Sequence, residues 1–231
     1  GVDRVLDLAH RVGIASALPR NLTLALGSGD VSPLEMTNAY ATLAAGGRRA
    51  TPVFIRRVED AKGGLLFENR AEPEPALDPA VTYQVVSMMQ SVVEEGTARA
   101  VQRLERPVAG KTGTTNDARD AWFIGFTPDL VAGVWVGFDD NRPLGPGETG
   151  GRAAIPIWLD TMEAALDDRP PAEFVAPSSI VFAFVDPDSG RLAPADYPGA
   201  RSEPFVAGTE PTEMLEPDAP LGDFRPEMED Y

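Results

Sequence analysis

The residues with the clearest chemical potential lie at positions 110–115, which read Gly-Lys-Thr-Gly-Thr-Thr. One ammonium group, three hydroxyl groups and two glycines in six residues could bind an anion. A Gly-Lys-Thr sequence also ends the phosphate-binding loop of nucleotide-binding proteins, but that loop needs another glycine five residues before Gly110. Glu105 stands there, and a turn and strand are expected after the motif in place of a helix N-terminus. We therefore exclude a phosphate-binding loop.

The alternative is a short β-strand that presents Lys111, Thr112, Gly113 and Thr114. Lys-Thr-Gly accompanies Ser-x-x-Lys and Ser-Asp-Asn in enzymes that form a serine acyl-enzyme. By itself the triplet is weak evidence, because it arises often by chance at average residue usage. An exposed turn without function explains it equally well, so the surrounding segments have to decide.

The elements around this segment predict a sheet. Residues 108–114, 121–127 and 130–138 are rich in β-forming residues, and a Thr-Pro-Asp turn at 127–129 joins the last two runs. Three short consecutive strands indicate an antiparallel sheet. The helical pattern over residues 153–166 could cover one of its faces. The expected fold class is α/β in the α+β sense, with an antiparallel sheet flanked by helices.

Two helices are predicted near the start of the chain. The first ends at Gly13 and carries an apolar stripe of Val2, Val5, Leu6, Ala9 and Val12. The second begins at Ser32, with Pro33 in its first turn and Glu35 completing a capping box. It should end at Gly46.

A hairpin and a third helix are predicted next. Residues 53–58 and 65–67 are β-rich and flank a glycine-containing turn at 60–64. Residues 71–75 contain two prolines and should break regular structure. A helix over residues 78–95 follows. Its expected core residues are Val81, Val85, Val86, Met89 and Val93.

Composition excludes several classes of protein. The 231 residues carry a formal net charge of −16 and no cysteine, which disfavours nucleic acid as a partner and excludes disulfides and thiolate metal sites. No stretch approaches the roughly 18 to 20 apolar residues of a membrane helix. The one histidine, His10, has no evident catalytic partner, so a Ser-His-Asp hydrolase is not expected.

A series of short segments identifies a family. They occupy residues 24–28, 31–36, 39–41, 108–115, 120–128, 134–137, 148–151 and 208–212, and include Lys111-Thr112-Gly113-Thr114, Asp120-Ala121-Trp122-Phe123 and Glu148-Thr149-Gly150-Gly151. In order and spacing they resemble class A penicillin-binding proteins, the bifunctional peptidoglycan synthases. The resemblance covers roughly residues 1–213 and favours an active-site strand over an exposed turn.

The resemblance implies a D,D-transpeptidase. In that reaction a serine attacks the carbonyl between two D-alanines of a peptidoglycan stem peptide, and an amine of a neighbouring peptide resolves the acyl-enzyme. Lys111 and Thr114 are the expected catalytic residues, and Thr112, Gly113 and Thr114 are expected to bind substrate. Lys111 would stabilise anionic species, and the hydroxyls of Thr112 and Thr114 would donate to the terminal carboxylate.

The strand backbone has implied roles as well. The Thr114 N–H would form half of an oxyanion hole, with the nucleophile's own N–H as the other half. Gly113 would leave room for substrate to lie against the strand.

The chain lacks the other two motifs of the family. The residues three places before its two lysines are Glu59 and Val108, and none of its nine serines is followed two places later by asparagine. No nucleophile is therefore expected in this chain, which alone should be inactive. In the family both motifs lie N-terminal to the segments found here, so we expect a chain that begins inside the domain, shortly after Ser-x-Asn. A degenerate pseudoenzyme is the alternative.

The expected organisation has three parts. Residues 1–168 form the C-terminal portion of the transpeptidase domain, and residues 169–213 form a small extension with a strand at 180–185 and a turn at 187–190. Residues 214–231 form an acidic tail without regular structure. Residues 169–231 hold 11 of the 22 prolines and 13 of the 36 acidic residues, which supports this assignment.

The implied partners are peptidoglycan stem peptides, β-lactams and the missing N-terminal part of the same protein. That part would carry a glycosyltransferase domain and a membrane anchor, on the periplasmic side of a bacterial inner membrane. No cofactor, metal, nucleic acid or transmembrane segment is expected in this chain. A non-catalytic envelope-binding or scaffold module, with a tail that recruits partners, is the other class of function.

Overall fold

The computed structural model describes residues 1–70 and 72–215. It divides into two compact units, Gly1–Phe174 and a second beginning at Val175. The helices are α1 (Val2–Arg11), α2 (Pro33–Ala44), α3 (Pro79–Glu94) and α4 (Ile155–Leu166). The strands are β1 (Arg48–Arg49), β2 (Arg57–Glu59), β3 (Leu65–Glu68), β4 (Glu74–Pro75), β5 (Ala109–Thr114), β6 (Asp120–Phe126), β7 (Val131–Gly137), β8 (Ile180–Val185) and β9 (Arg201–Val206). In the described ranges, no helix combines the length and apolar character needed to cross a bilayer.

The predicted three-stranded meander is confirmed. Strands β5, β6 and β7 form an antiparallel sheet in that order. Thr112 lies opposite Phe123, and Phe123 lies opposite Val134. Because side chains alternate along a strand, these three residues share one face of the sheet, and Lys111 belongs to the other.

Helix α4 covers the Phe123 face, as predicted. Trp158 is fully buried, and its ring meets Phe123 edge-to-face with centroids 5.1 Å apart. Its indole N–H donates to the carbonyls of Gly125 and Ala132 at 3.2 and 3.0 Å, so the ring is anchored to both β6 and β7. The helix begins two residues later than expected, because Gly150–Ala154 forms a π-helical turn before it.

Helices α2 and α3 supply the core on the opposite face. The ring of Phe126 packs edge-to-face against Tyr40 and Phe174, with centroids 6.4 and 5.7 Å apart. Val86 and Met89 of α3 join this cluster, whereas residue 93, near the end of the same helix, belongs to the cluster around Phe123. Helix α3 therefore contributes to both cores.

Helix α2 begins with the predicted capping box. The Ser32 hydroxyl accepts from the Glu35 N–H, and the Glu35 carboxylate accepts from the Ser32 N–H at 3.1 Å. Helix α1 spans the predicted segment but buries none of its residues. In α3, Val86, Met89 and Val93 are buried as expected. Val81 and Val85 were expected in the core but are exposed, because α3 presents a narrower stripe to the sheet than the apolar pattern suggested.

The predicted hairpin forms from β2 and β3, which pair in antiparallel fashion with an irregularity after Val58. Its first strand begins at Arg57, four residues later than expected. The predicted break over residues 71–75 was wrong in part, because Glu74–Pro75 pairs with Arg48–Arg49. Proline has no backbone N–H to donate, but its carbonyl can still accept a hydrogen bond, so a short strand pair at an edge tolerates it.

The second unit contains an antiparallel hairpin of β8 and β9. Strand β8 coincides with the predicted strand, and at the following turn the Ser189 hydroxyl donates to the Asp186 carboxylate. This bond is the main cause that lowers the pKa of Asp186. Strand β9 was not predicted. Of the expected acidic tail, residues 216–231 lie outside the described residues, and the three-part domain assignment stays a prediction.

Candidate active site

Strand β5 carries the four predicted site residues on a sheet edge. It pairs with β6 on one side, and no other described strand pairs with it. Lys111 and Thr114 are exposed, and Thr112 and Gly113 are half-buried. Alternation along the strand puts Thr112 and Thr114 on one face and Lys111 on the other. A ligand that contacts all three must therefore lie along the edge.

Lys111 holds its ammonium group close to the strand. Its Nζ donates to the carbonyl of Thr112 at 2.8 Å, which leaves two N–H bonds for a ligand. No ion pair to Lys111 occurs among the residues that the structure describes. The site therefore has an exposed cation that no neighbouring carboxylate neutralises, in a protein of net charge −16.

The Thr112 hydroxyl is held by a residue that the sequence did not indicate. Its Oγ1 lies 2.9 Å from Oγ1 of Thr97, and either atom could be the donor. Thr97 lies in the turn that follows α3. The two residues are 15 apart in the sequence, so the contact joins the turn after α3 to the edge strand β5.

The Thr114 hydroxyl is held by the turn that precedes α4. The Gly150 N–H donates to its Oγ1 at 3.1 Å. A Cβ on Gly150 would lie 2.2 Å from the Trp122 carbonyl oxygen and 2.7 Å from the Gly113 carbonyl oxygen. Only glycine allows the turn to approach β5 and β6 this closely.

A hydrogen-bond network fixes the connection from β5 to β6. The Asp120 N–H donates to Thr115 Oγ1 at 2.8 Å, and the Thr115 hydroxyl donates back to the Asp120 carboxylate at 3.2 Å. The other Asp120 oxygen accepts from the Trp135 indole N–H at 2.8 Å. These bonds tie β5, β6 and β7 together immediately beyond Thr114.

The structure thus brings together Lys111, Thr112, Gly113 and Thr114 and adds Thr97 and Gly150. A signal for Gly150 was present, because it belongs to the Glu-Thr-Gly-Gly segment that resembles the family. Thr97 had no such signal. The strand as a whole offers one cation and two oriented hydroxyl groups, a set suited to a carboxylate.

Comparison with known proteins gives two family matches. Residues 14–163 match the penicillin-binding protein transpeptidase domain, and residues 176–216 match the C-terminal domain of penicillin-binding protein 1A. The chain is 41% identical over 211 residues to penicillin-binding protein 1A of Aquifex aeolicus, covering 91% of this chain and 29% of that protein. It is 33% identical to penicillin-binding protein 1A of Pseudomonas aeruginosa, covering 97% of this chain and 33% of that protein.

Solved structures agree. The crystal structure of penicillin-binding protein 1A from Haemophilus influenzae matches 94% of this chain and 38% of that chain, with a TM-score of 0.86 and 30% identity. The structure of PonA1 from Mycobacterium tuberculosis in complex with penicillin V matches 77% of this chain and 53% of that chain, with a TM-score of 0.67 and 30% identity.

The sheet, its flanking helices and the Lys-Thr-Gly edge strand define a penicillin-binding transpeptidase fold, so the predicted fold class is confirmed. The chain belongs to the penicillin-binding protein transpeptidase family, and the two relatives compared above are penicillin-binding proteins 1A, in line with the class A resemblance. It spans about a third of the length of these relatives.

Proposed function

We propose that β5 is the carboxylate-binding strand of a serine-type peptidoglycan D,D-transpeptidase that is also a β-lactam target. The observation that carries this proposal is the edge strand itself. It presents the hydroxyls of Thr112 and Thr114 on one face and the Lys111 ammonium on the other, and this ammonium forms no ion pair with any residue that the structure describes. A stem peptide ending in D-Ala-D-Ala and a penicillin both present a carboxylate next to an acylating carbonyl. The two hydroxyls and the ammonium are a complementary set of donors.

The strand would contribute in two ways to acyl transfer. Thr112 and Thr114 would hold the carboxylate, with Lys111 balancing its charge and that of the developing tetrahedral oxyanion. The Thr114 N–H would donate to that oxyanion together with the N–H of the nucleophile. Gly113 would allow the substrate backbone to lie against β5 as an added strand.

The serine itself would come from residues outside these 231, since the chain has neither Ser-x-x-Lys nor Ser-x-Asn. We therefore propose that this polypeptide alone forms no acyl-enzyme. The whole protein would be a bifunctional synthase with a glycosyltransferase domain, anchored on the outer side of a bacterial inner membrane. Support for this comes from relatives that are penicillin-binding proteins 1A and from PonA1, which was solved with penicillin V.

Two measurements on the 231-residue chain test these roles. Incubation with a fluorescent penicillin should leave no covalent adduct, and a stable stoichiometric adduct would overturn the proposal that the nucleophile lies elsewhere. Titration with N-acetyl-D-Ala-D-Ala, followed by NMR, should show saturable binding at β5. Failure of this peptide to perturb β5 would contradict the carboxylate-binding role.

A matched pair of lysine variants isolates the contribution of charge. Lys111→Ala should weaken binding of the peptide carboxylate by about tenfold, because it removes a charge-assisted donor. Lys62→Ala changes the only other lysine, which is exposed in the β2–β3 turn, and should leave binding unchanged. Equal affinity in the two variants would contradict the role of Lys111.

A further inference from the structure

We infer that Thr97 is a positioning residue, whose hydroxyl donates to Thr112 and thereby directs the Thr112 proton toward a bound carboxylate. This inference rests on the proposed function of β5. Its starting point is the 2.9 Å contact between the two threonine hydroxyls. Each hydroxyl has one proton, so only one of them can donate in this contact.

A carboxylate decides the direction of the contact. An ionised carboxylate has no proton to give, so Thr112 can bind it only by donating. Thr112 can then only accept from Thr97, which must donate. The resulting chain runs from the Thr97 hydroxyl through the Thr112 hydroxyl to the carboxylate, and hydrogen bonds in such a chain polarise one another.

Thr114 has the same arrangement with a fixed direction. The group behind it is the Gly150 backbone N–H, which can only donate. Thr114 therefore accepts from the protein and offers its own proton to the ligand. With Thr97 behind Thr112, both hydroxyls of the site become outward donors, and the pair selects a group that only accepts hydrogen bonds. A carboxylate fits, and a carboxamide, with its own N–H donors, fits less well.

Thr97 is held in place by the turn around it. The Gln102 side-chain amide donates to the carbonyls of Val93 and Glu94 at 2.9 and 2.7 Å, so it closes the end of α3. The Ala98 N–H donates to the Val92 carbonyl at 3.1 Å. A Cβ at position 96 would lie 2.9 Å from that same carbonyl oxygen, so the turn needs the glycine found there. The Thr97 side chain thus projects from a well-braced backbone.

The test compares two ligands on the 231-residue chain. N-acetyl-D-Ala-D-Ala and its C-terminal amide are titrated into wild type, Thr97→Val and Thr97→Ser, and dissociation constants are measured by NMR. Wild type should prefer the carboxylate. Thr97→Val keeps the shape but removes the donor, so it should weaken carboxylate binding by about fivefold, the effect of one net hydrogen bond. Binding of the amide should change by less than about twofold, and Thr97→Ser should restore the preference.

A control variant removes a threonine hydroxyl elsewhere. Thr161 is exposed in α4, and its hydroxyl donates within the helix to the Ile157 carbonyl. Thr161→Val should leave both affinities at their wild-type values. This separates the expected effect from the general consequence of replacing threonine by valine.

The outcomes distinguish a failure of the inference about Thr97 from a failure of the proposed carboxylate-binding role of β5. If wild type binds neither ligand, the proposed function of β5 fails. If wild type binds the carboxylate and Thr97→Val binds it equally well, the proposed function stands and the inference about Thr97 is overturned. Equal losses for carboxylate and amide would also overturn it, since they would show a structural role without selection of the ligand group.

Discussion

Gly150 shows how a residue without a side chain can shape the candidate site. It lies in van der Waals contact with the backbones of β5 and β6, and its N–H holds the Thr114 hydroxyl. The neighbouring glycine differs, because a Cβ on Gly151 would lie 3.5 Å from the nearest atom, the Thr97 carbonyl oxygen. We therefore expect replacement by alanine to disturb the site at Gly150 and to leave it unchanged at Gly151.

Gly150→Ala should weaken binding of N-acetyl-D-Ala-D-Ala by about fivefold or more. Its methyl group would meet two backbone carbonyls, which cannot rotate away, so the turn must move and the bond to Thr114 is lost. Gly151→Ala is the control and should bind as wild type does. Titrations of both variants by NMR check this, and a Gly150→Ala chain with wild-type affinity would contradict the arrangement described for Thr114.

At the scale of elements, the start of α2 is held by a carboxylate. Glu35 accepts from the Ser16 hydroxyl at 2.6 Å and from the N–H groups of Ala15 and Ser32. These hydrogen bonds, led by that of Ser16, lower the pKa of Glu35 from 4.5 to about 2. The carboxylate therefore connects the segment after α1 to the first turn of α2.

The depressed pKa predicts a specific dependence of stability on pH. In the unfolded chain Glu35 protonates near pH 4.5, and in the folded chain only near pH 2. Its contribution is thus complete above about pH 4.5 and is lost as the pH falls toward 2. Glu35→Gln should be less stable than wild type at pH 6, and this difference should narrow as the pH falls through that window.

Urea unfolding of both proteins at a series of pH values measures this difference. Glu173→Gln changes an exposed carboxyl in the same unit and serves as the control for replacing glutamate by glutamine; at pH 6 it should cost less stability than Glu35→Gln. If the difference in free energy of unfolding between Glu35→Gln and wild type widened in acid, its sign would be opposite to that expected, and the lowered pKa of Glu35 would be contradicted.

Elements differed in how far sequence alone could predict them. The capping box of α2 depends on residues three apart, so its pattern is visible in the sequence. Strand β9 contains Pro204 and Glu203, which disfavour a strand, and it forms because β8 supplies a pairing partner. The Thr97 contact depends on how the end of α3 packs against β5. No local pattern encodes that packing, whereas the four residues of β5 were predicted because they form one contiguous motif.

At the scale of the whole first unit, one sheet separates two hydrophobic cores. Trp158 lies in the core between α4 and the sheet, where it is fully buried and contacts Phe123. Phe123 lies opposite Thr112 in the sheet register. Packing around Trp158 therefore supports the sheet face to which Thr112 of the candidate site belongs.

Trp158→Ala should lower the free energy of unfolding by about 3 to 5 kcal/mol, the usual cost of removing a buried aromatic ring. Trp158→Phe should cost less, because it keeps most of the packing but removes the donor to the Gly125 and Ala132 carbonyls. Urea unfolding followed by circular dichroism measures both. Trp135→Phe is the matched comparison for Trp158→Phe. Trp135 is 38% exposed and loses one indole hydrogen bond, to Asp120, so this substitution should cost less than Trp158→Phe. If Trp135→Phe cost as much as Trp158→Phe, the burial of Trp158 in the core beneath α4 would not explain its contribution to stability.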